Sequence, residues 1–337
     1  MATWTGVSHL SVTLTSGDQN CAIYANGLNR IGVTISITPT DECGDLIEVD
    51  PQHLVSNLWL IDYIDESKLH WNGKSGWSYT DTENEFTAIP GGAGERAEVA
   101  TGGNGAQHVT FYVYCSPGVT KKSISVLVRT DSEDGDTFST SKDGAYPSQV
   151  VINPRAAATY TKDNISWDYS RTSTDEENNT RYVTTRAWNY YLSLKEPDNY
   201  FVTFRVHGHF SDSGYDGLFS AHIPADNDRG NFYGGYVWYS EPHNYSTGQI
   251  VNFPEGNHWW DTAAIYDRSY PEQYLCFTWV HSTTSGDGWH IPNGPITNWH
   301  VYYTPRIVAW DRYGNTGTFW VDGDEITKGL NLTDYQP

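Results

Sequence analysis

The segment "NHWWD" (257–261) sets His258 and Asp261 on either side of Trp259 and Trp260. An indole offers a flat apolar surface to the C–H face of a pyranose, and a carboxylate or imidazole can fix the sugar hydroxyls beside it. Neighbouring side chains of a strand point to opposite faces, so two adjacent indoles cannot share one half-buried core. The same pattern returns at Asn189-Tyr190-Tyr191, Tyr302-Tyr303 and Phe319-Trp320. A second aromatic tract, "NFYGGYVWYSEPHNY" (231–245), puts Tyr236 and Trp238 on one strand face and adds His243. Its Gly234-Gly235 pair reads as a bulge or a close backbone approach. Trp259, Trp260, His258, Asp261, Tyr236, Trp238 and His243 form the candidate ligand-binding set. The same rings would serve as core filling if a loop or second layer covered the other strand face.

Metal chemistry has two weaker footholds. His207-Gly208-His209 is an H-x-H whose imidazoles would share a face on an extended strand, with a third ligand such as His222 or His281. A cupin would add a Glu soon after, where this chain offers only Asp212. Calcium is the other option, through Asp-rich turns at 131–136, 212–217, 226–231 and 322–325, with Asp226 and Asp228 the candidates that stay open. None completes a twelve-residue EF-hand, and Asp-Gly and Asn-Asp are ordinary turn formers. The chain holds no G-x-S-x-G, P-loop, H-E-x-x-H or G-x-G-x-x-G motif, so the residues favour binding over catalysis.

The elements that must position these groups are short strands. Aromatic residues make up 15% of the chain, Gly contributes 31 residues and Met one, a profile poor in helix-forming runs. "RIGVTISIT" (30–38) alternates, with Ile31, Val33, Ile35 and Ile37 on one face and Thr34, Ser36 and Thr38 among those on the other, as a half-buried strand does. "HVTFYVYC" (108–115) and "SISVLVRT" (123–130) repeat the pattern on either side of a Pro-Gly turn. One helix is expected in "DPQHLVSNLWLI", capped by Asp50 and opened by Pro51. A change of composition at 153–164 marks a boundary, giving an N-terminal sandwich over 1–157 and an aromatic-rich sandwich or jelly roll over 158–337. The later half concentrates ten of the fourteen Trp and eight of the twelve His. The acidic run "STDEENNT" (173–180) reads as a surface loop. The expected fold class is all-β, two antiparallel sandwiches with little helix.

A formal net charge of −21 makes nucleic acid and anionic membrane poor partners for the free surface. No run approaches 18 apolar residues, so no membrane-spanning helix is expected. The first twenty residues lack the basic and apolar regions of a secretory signal, which leaves an intracellular protein or inclusion, export by a signal-independent route or lysis, or a form trimmed to its mature length. Cys21, Cys43, Cys115 and Cys276 show no C-x-x-C spacing, and packed thiols are expected before disulfides or zinc.

The run "YANGLNRIGVTISITPTDECGDLIEVDP" resembles the bacterial Ig-like modules of the Big type. The matching residues are the Ala25-Asn26-Gly27 turn, the strand Val33–Thr38 and the turn from Asp41 to Gly44. The segment 70–105 is longer than such modules carry. The resemblance implies an Ig-like spacer or presenter from surface, adhesive or phage-tail proteins. Taken with the aromatic half, it points to a recognition protein for carbohydrate or a host cell-surface ligand. A β-sandwich toxin or virulence factor and a self-associating tail, inclusion or capsid-like protein are the alternatives.

Overall fold

The computed structural model describes residues 3–87, 89–90, 105–171, 176–178, 183–208, 218–223, 231–238, 249–250, 263–264, 275–284, 299–324 and 329–335. Strands dominate throughout, and the chain divides into two compact units: Met1–Ala158 with Arg312–Asn315, and Thr159–Asp311 with Thr316–Pro337.

The first unit contains β1 (Gly6–Leu14), β2 (Asn20–Tyr24), β3 (Ile31–Thr40), α1 (Pro51–Ser56), β4 (Leu58–Asp62), β5 (His70–Trp71), β6 (Trp77–Thr80), β7 (Gln107–Cys115), β8 (Lys122–Arg129), β9 (Thr137–Ser139) and β10 (Val150–Arg155). One sheet runs β1-β3-β7-β6-β5 and the other β2-β10-β8-β4, with β9 added to β8. Their inner faces meet in one core that takes Val33 and Ile35 from β3, Phe111 and Val113 from β7, and Ile124, Val126 and Val128 from β8. The Pro-Gly turn therefore carries the chain from one sheet to the other, with Gly118 at φ 86°. β3 departs from the half-buried expectation, because Thr34 and Thr38 on its second face are each only 7% exposed. It lies between β1 and β7, where the Thr34 and Thr110 hydroxyls meet at 3.2 Å. Pro154 fits in β10 because pairing with β8 ends at Ile152, so its missing N–H breaks no rung on that side.

The helix is shorter than the sequence predicts. Asp50 accepts from the amides of Gln52 (3.0 Å) and His53 (3.1 Å) and Pro51 opens the first turn, but the helix stops at Ser56 and "LWLID" pairs with β8 as β4. Tertiary pairing of an apolar alternating run has overridden helical continuation. Nearby, Lys122 and Asp62 form an ion pair at 2.6 Å. Partial burial opposes ionisation of Asp62, yet hydrogen bonds from Lys122 and from the amides of Ile64 and Asp65, with the lysine charge, hold its carboxyl below the usual range. Residues Arg312–Asn315 belong to this unit as well: Asn26 Nδ2 donates to the Tyr313 carbonyl at 2.9 Å and to Asn315 Oδ1 at 3.2 Å.

The second unit contains β11 (Thr159–Tyr160), a 3-10 turn (Lys162–Asn164), β12 (Ile165–Arg171), β13 (Glu176–Asn178), β14 (Val183–Leu194), β15 (Phe201–His207), β16 (Leu218–Ile223), β17 (Asn231–Trp238), β18 (Gln249–Ile250), β19 (Ala263–Ala264), β20 (Leu275–Thr284), β21 (Trp299–Tyr302), β22 (Arg306–Asp311), β23 (Thr316–Asp324) and β24 (Gly329–Asp334). A larger sheet runs β12-β14-β20-β17-β16-β21, with β13 on β14. A smaller one runs β11-β23-β22-β15, with β24 on β23. Leu192, Phe277, Trp279 and Phe219 of the larger sheet pack with Phe201, Ile307, Phe319 and Val321 of the smaller. The acidic run expected to be a surface loop instead contributes Glu176–Asn178 as a short strand, because backbone pairing with Val183–Thr185 of β14 outweighs its turn-like composition. All four cysteines are thiols.

Candidate functional site

The best-defined aromatic surface lies at the β12 edge of the larger sheet. Ile165, Trp167 and Tyr169 alternate onto one face and pair in register with Leu194, Leu192 and Tyr190. Burial fades along that face: Ile165 is in the core, Trp167 is half-buried and Tyr169 is 67% exposed. The Tyr190 ring stacks on Trp167 (centroids 5.4 Å) and on Tyr169 (5.5 Å), each at 30° between planes. Strand β24 fixes the base of the stack, since Trp167 Nε1 donates to the Leu330 carbonyl at 3.2 Å and the Leu330 amide donates to the Tyr190 hydroxyl. Burial pushes the Tyr190 phenol up, aided by Tyr169 and only partly offset by the Leu330 amide, so the ring stays neutral. The outermost ring is thus held in place before any ligand arrives, which reduces the ordering cost of binding. In the sequence this site is the alternation W-x-Y in "ISWDYSR", a pattern shared with any half-buried strand. Only the exposure of Tyr169 and the stacking of Tyr190 set it apart.

The opposite face of the same sheet answers the doublet at Tyr190-Tyr191. Tyr190 joins the core and Tyr191, on the other face, is 1% exposed. Asn189, Cys276 and Thr278 are buried there too, with Thr278 Oγ1 donating to Asn189 Oδ1 at 2.6 Å and Asn189 Nδ2 donating to the Tyr191 hydroxyl at 3.3 Å. Tyr236 pairs with Thr278 and Trp238 with Cys276, so these two candidates share that face by register. Val237, between them, is in the core on the inner face. At Gly235 the backbone approaches Phe219 closely, and the bulge lies across from it in β16, between Leu218 and Ser220.

Trp259, Trp260, His258, Asp261 and His243 lie outside the described residues, as do His209, Asp226 and Asp228. His207 is exposed at the end of β15, paired with Arg306. The strand stops there and Gly208 takes φ 81°, so the extended run that an H-x-H strand pair requires ends before His209. The turn 131–136 closes on itself, with the Asp136 amide donating to Ser132 Oγ at 2.7 Å, while Asp131 faces His53 at 2.9 Å. Among the described residues no group of three His, Cys, Asp or Glu side chains could hold a metal ion.

No family model matches the chain, and no curated protein matches it. Among solved structures it is similar to a chain described as a membrane-anchored protein of Corynebacterium diphtheriae, with 11% identity and a TM-score of 0.17. The match covers 97% of this chain and 59% of that one, so the present chain spans less than two thirds of the other's length.

Proposed function

We propose that this protein is a non-enzymatic recognition protein that binds carbohydrate or a cell-surface ligand through the aromatic surface of its second unit. The observation that carries the reading is the Tyr169 ring, 67% exposed and backed by the stack on Tyr190 and Trp167. A single exposed aromatic is ordinary on a protein surface, but one seated on two further rings and tied through them to β24 is a rigid platform. A pyranose presents the complementary partner: an axial C–H face for stacking and hydroxyls for the polar rim. The acidic surface, at −21 overall, favours neutral or basic ligands for this exposed ledge.

The test is a titration of intrinsic fluorescence with a panel of neutral mono- and oligosaccharides, repeated with Tyr169→Ala. Loss of one stacking ring is expected to weaken binding about tenfold, equivalent to about 1.4 kcal/mol. A flat response across the panel, or an affinity indifferent to Tyr169→Ala in a protein of unchanged circular dichroism, would overturn the reading.

A further inference from the structure

The outer face of the smaller sheet carries cations that meet rings in place of carboxylates. Ile307, Ala309, Phe319 and Val321 turn into the core, so Arg306 and Trp310 of β22 and Trp320 of β23 turn outward. By register Arg306 lies opposite His207 of β15 on one side and Trp320 on the other. Arg205 is two residues from His207 on the same face and diagonal to Arg306, at a cross-strand spacing of about 7–8 Å. Arg205 and His207 are exposed, and Arg306, Trp310, Trp320 and Tyr335 are half-buried. The Arg205 guanidinium carbon stands 5.6 Å from the Trp310 ring centre and that of Arg306 5.7 Å from the Tyr335 ring centre. The Tyr335 ring packs in turn on Trp320, with centroids 5.2 Å apart.

Cations grouped on one sheet face repel each other unless an opposite charge lies among them. The chain has 41 Asp and Glu against 20 Lys and Arg, yet among the described residues neither arginine has a hydrogen bond or ion pair, and the Arg306 Nε is buried without an acceptor. By register the nearest carboxylate on this face is Asp322, two residues beyond Trp320 and opposite Asn331 of β24. Stacking on a ring occupies the flat face of a guanidinium and leaves the N–H groups at its edge free.

We propose that this face binds an acidic oligosaccharide, with carboxylates meeting Arg205 and the Arg306–His207 pair. Two anchors set apart on the sheet suit a ligand with more than one charged group. Thr318, on the Arg205 rung, and Thr203, on the Trp310 rung, add hydroxyls that match those of a sugar. Single-stranded nucleic acid is the poorer match, because its bases need bare ring faces to stack on and Trp310 and Tyr335 each turn a face to a guanidinium. The site is independent of the Tyr169 ledge, which lies at the β12 edge of the larger sheet.

Calorimetric titration of the full chain with tetragalacturonate, maltotetraose and a short oligothymidylate tests it. Physiological ionic strength, with a screening length of about 8 Å, removes most of the repulsion from distant carboxylates. Tetragalacturonate is expected to bind, while maltotetraose gives no heat sensitive to Arg205. Arg205→Gln is expected to weaken tetragalacturonate by about tenfold or more, and Arg205→Lys, which keeps the charge without the fork, by less. Tyr169→Ala should leave that affinity unchanged. Should Arg205→Gln fail to fold, the indole N–H NMR signals of Trp310 and Trp320 in the unaltered protein supply the reading, through shifts on adding tetragalacturonate. No heat with tetragalacturonate, an affinity unmoved by Arg205→Gln in a folded protein or lost with Tyr169→Ala, or oligothymidylate held more tightly through Arg205 would overturn the proposal.

Discussion

The Tyr160 hydroxyl donates to Asp311 Oδ2 at 2.6 Å, inside a cluster where Asn199 Nδ2 reaches the same oxygen at 3.0 Å and the Tyr160 oxygen at 2.9 Å. Asp311 is fully buried at the end of β22, and Tyr160 closes the two-residue strand β11. A buried carboxylate is tolerated only when donors surround it. Tyr160→Phe keeps the ring and takes away one donor. The second unit is expected to lose about 1–3 kcal/mol, read as a lower urea midpoint with an unchanged slope.

Alkaline pH acts on the same residue and on Tyr79. Burial raises the Tyr160 phenol, and the hydrogen bond to Asp311 and that carboxylate's charge raise it further. Burial pushes Tyr79 up to about 12, partly offset by a backbone hydrogen bond from Leu60. A phenol whose folded pKa is raised favours folding fully below its unfolded value near 10, and that contribution is lost as pH rises beyond it. For Tyr79 alone the loss is on the order of 1 kcal/mol by pH 11. Urea unfolding from pH 8 to 11 should show stability falling above pH 9, with a shallower fall in Tyr160→Phe. A flat profile would contradict the assignment.

The four thiols should separate by reactivity. Cys43 is exposed, whereas burial pushes Cys115 up to about 12, and burial with the charge of Asp18 does the same for Cys21. Thiolate is the reacting form, so both are held protonated at pH 8, and Cys115 is buried as well while Cys21 is partly exposed. Iodoacetamide on the native protein, followed by peptide mass spectrometry, is expected to label Cys43 first. Cys21 should label more slowly, and Cys115 only under denaturing conditions.

Gly235 marks the close approach of β17 to the Phe219 ring. A Cβ built there would sit 2.6 Å from the ring, and Phe219 is fully buried, so neither side has room to yield. Gly235→Ala is expected to cost about 1–3 kcal/mol by overpacking, measured by chemical denaturation. Gly17→Ala, in an open turn with nothing near the added methyl but φ 85°, separates backbone strain from collision.

Much of the architecture is legible in single segments. Ile31, Val33, Ile35 and Ile37 enter the core as their alternation predicts, though the opposite face of their strand is covered as well, and "RIVAW" and "TFWVD" emerge as the paired strands β22 and β23. The Asp50-Pro51 cap is equally local, because the carboxylate meets amides two and three residues on. The helix end was not legible, since β4 is decided by its pairing with β8, more than sixty residues later. The Gly234-Gly235 signal named the right place and left open whether it meant a bulge or a close approach. The partner strand β16 holds the bulge, and Gly235 the approach.

The sequence by itself determined an all-β chain with an acidic surface and more rings in its later half than one strand face can hold, because period-two alternation and charge are local properties. Tertiary structure decided which rings meet and which stay bare. Tyr190 stacks between Trp167 and Tyr169, and Tyr191 is buried on the other face. Cross-strand register joins residues far apart in the chain, and a slip of one position would send every one of those side chains to the opposite face.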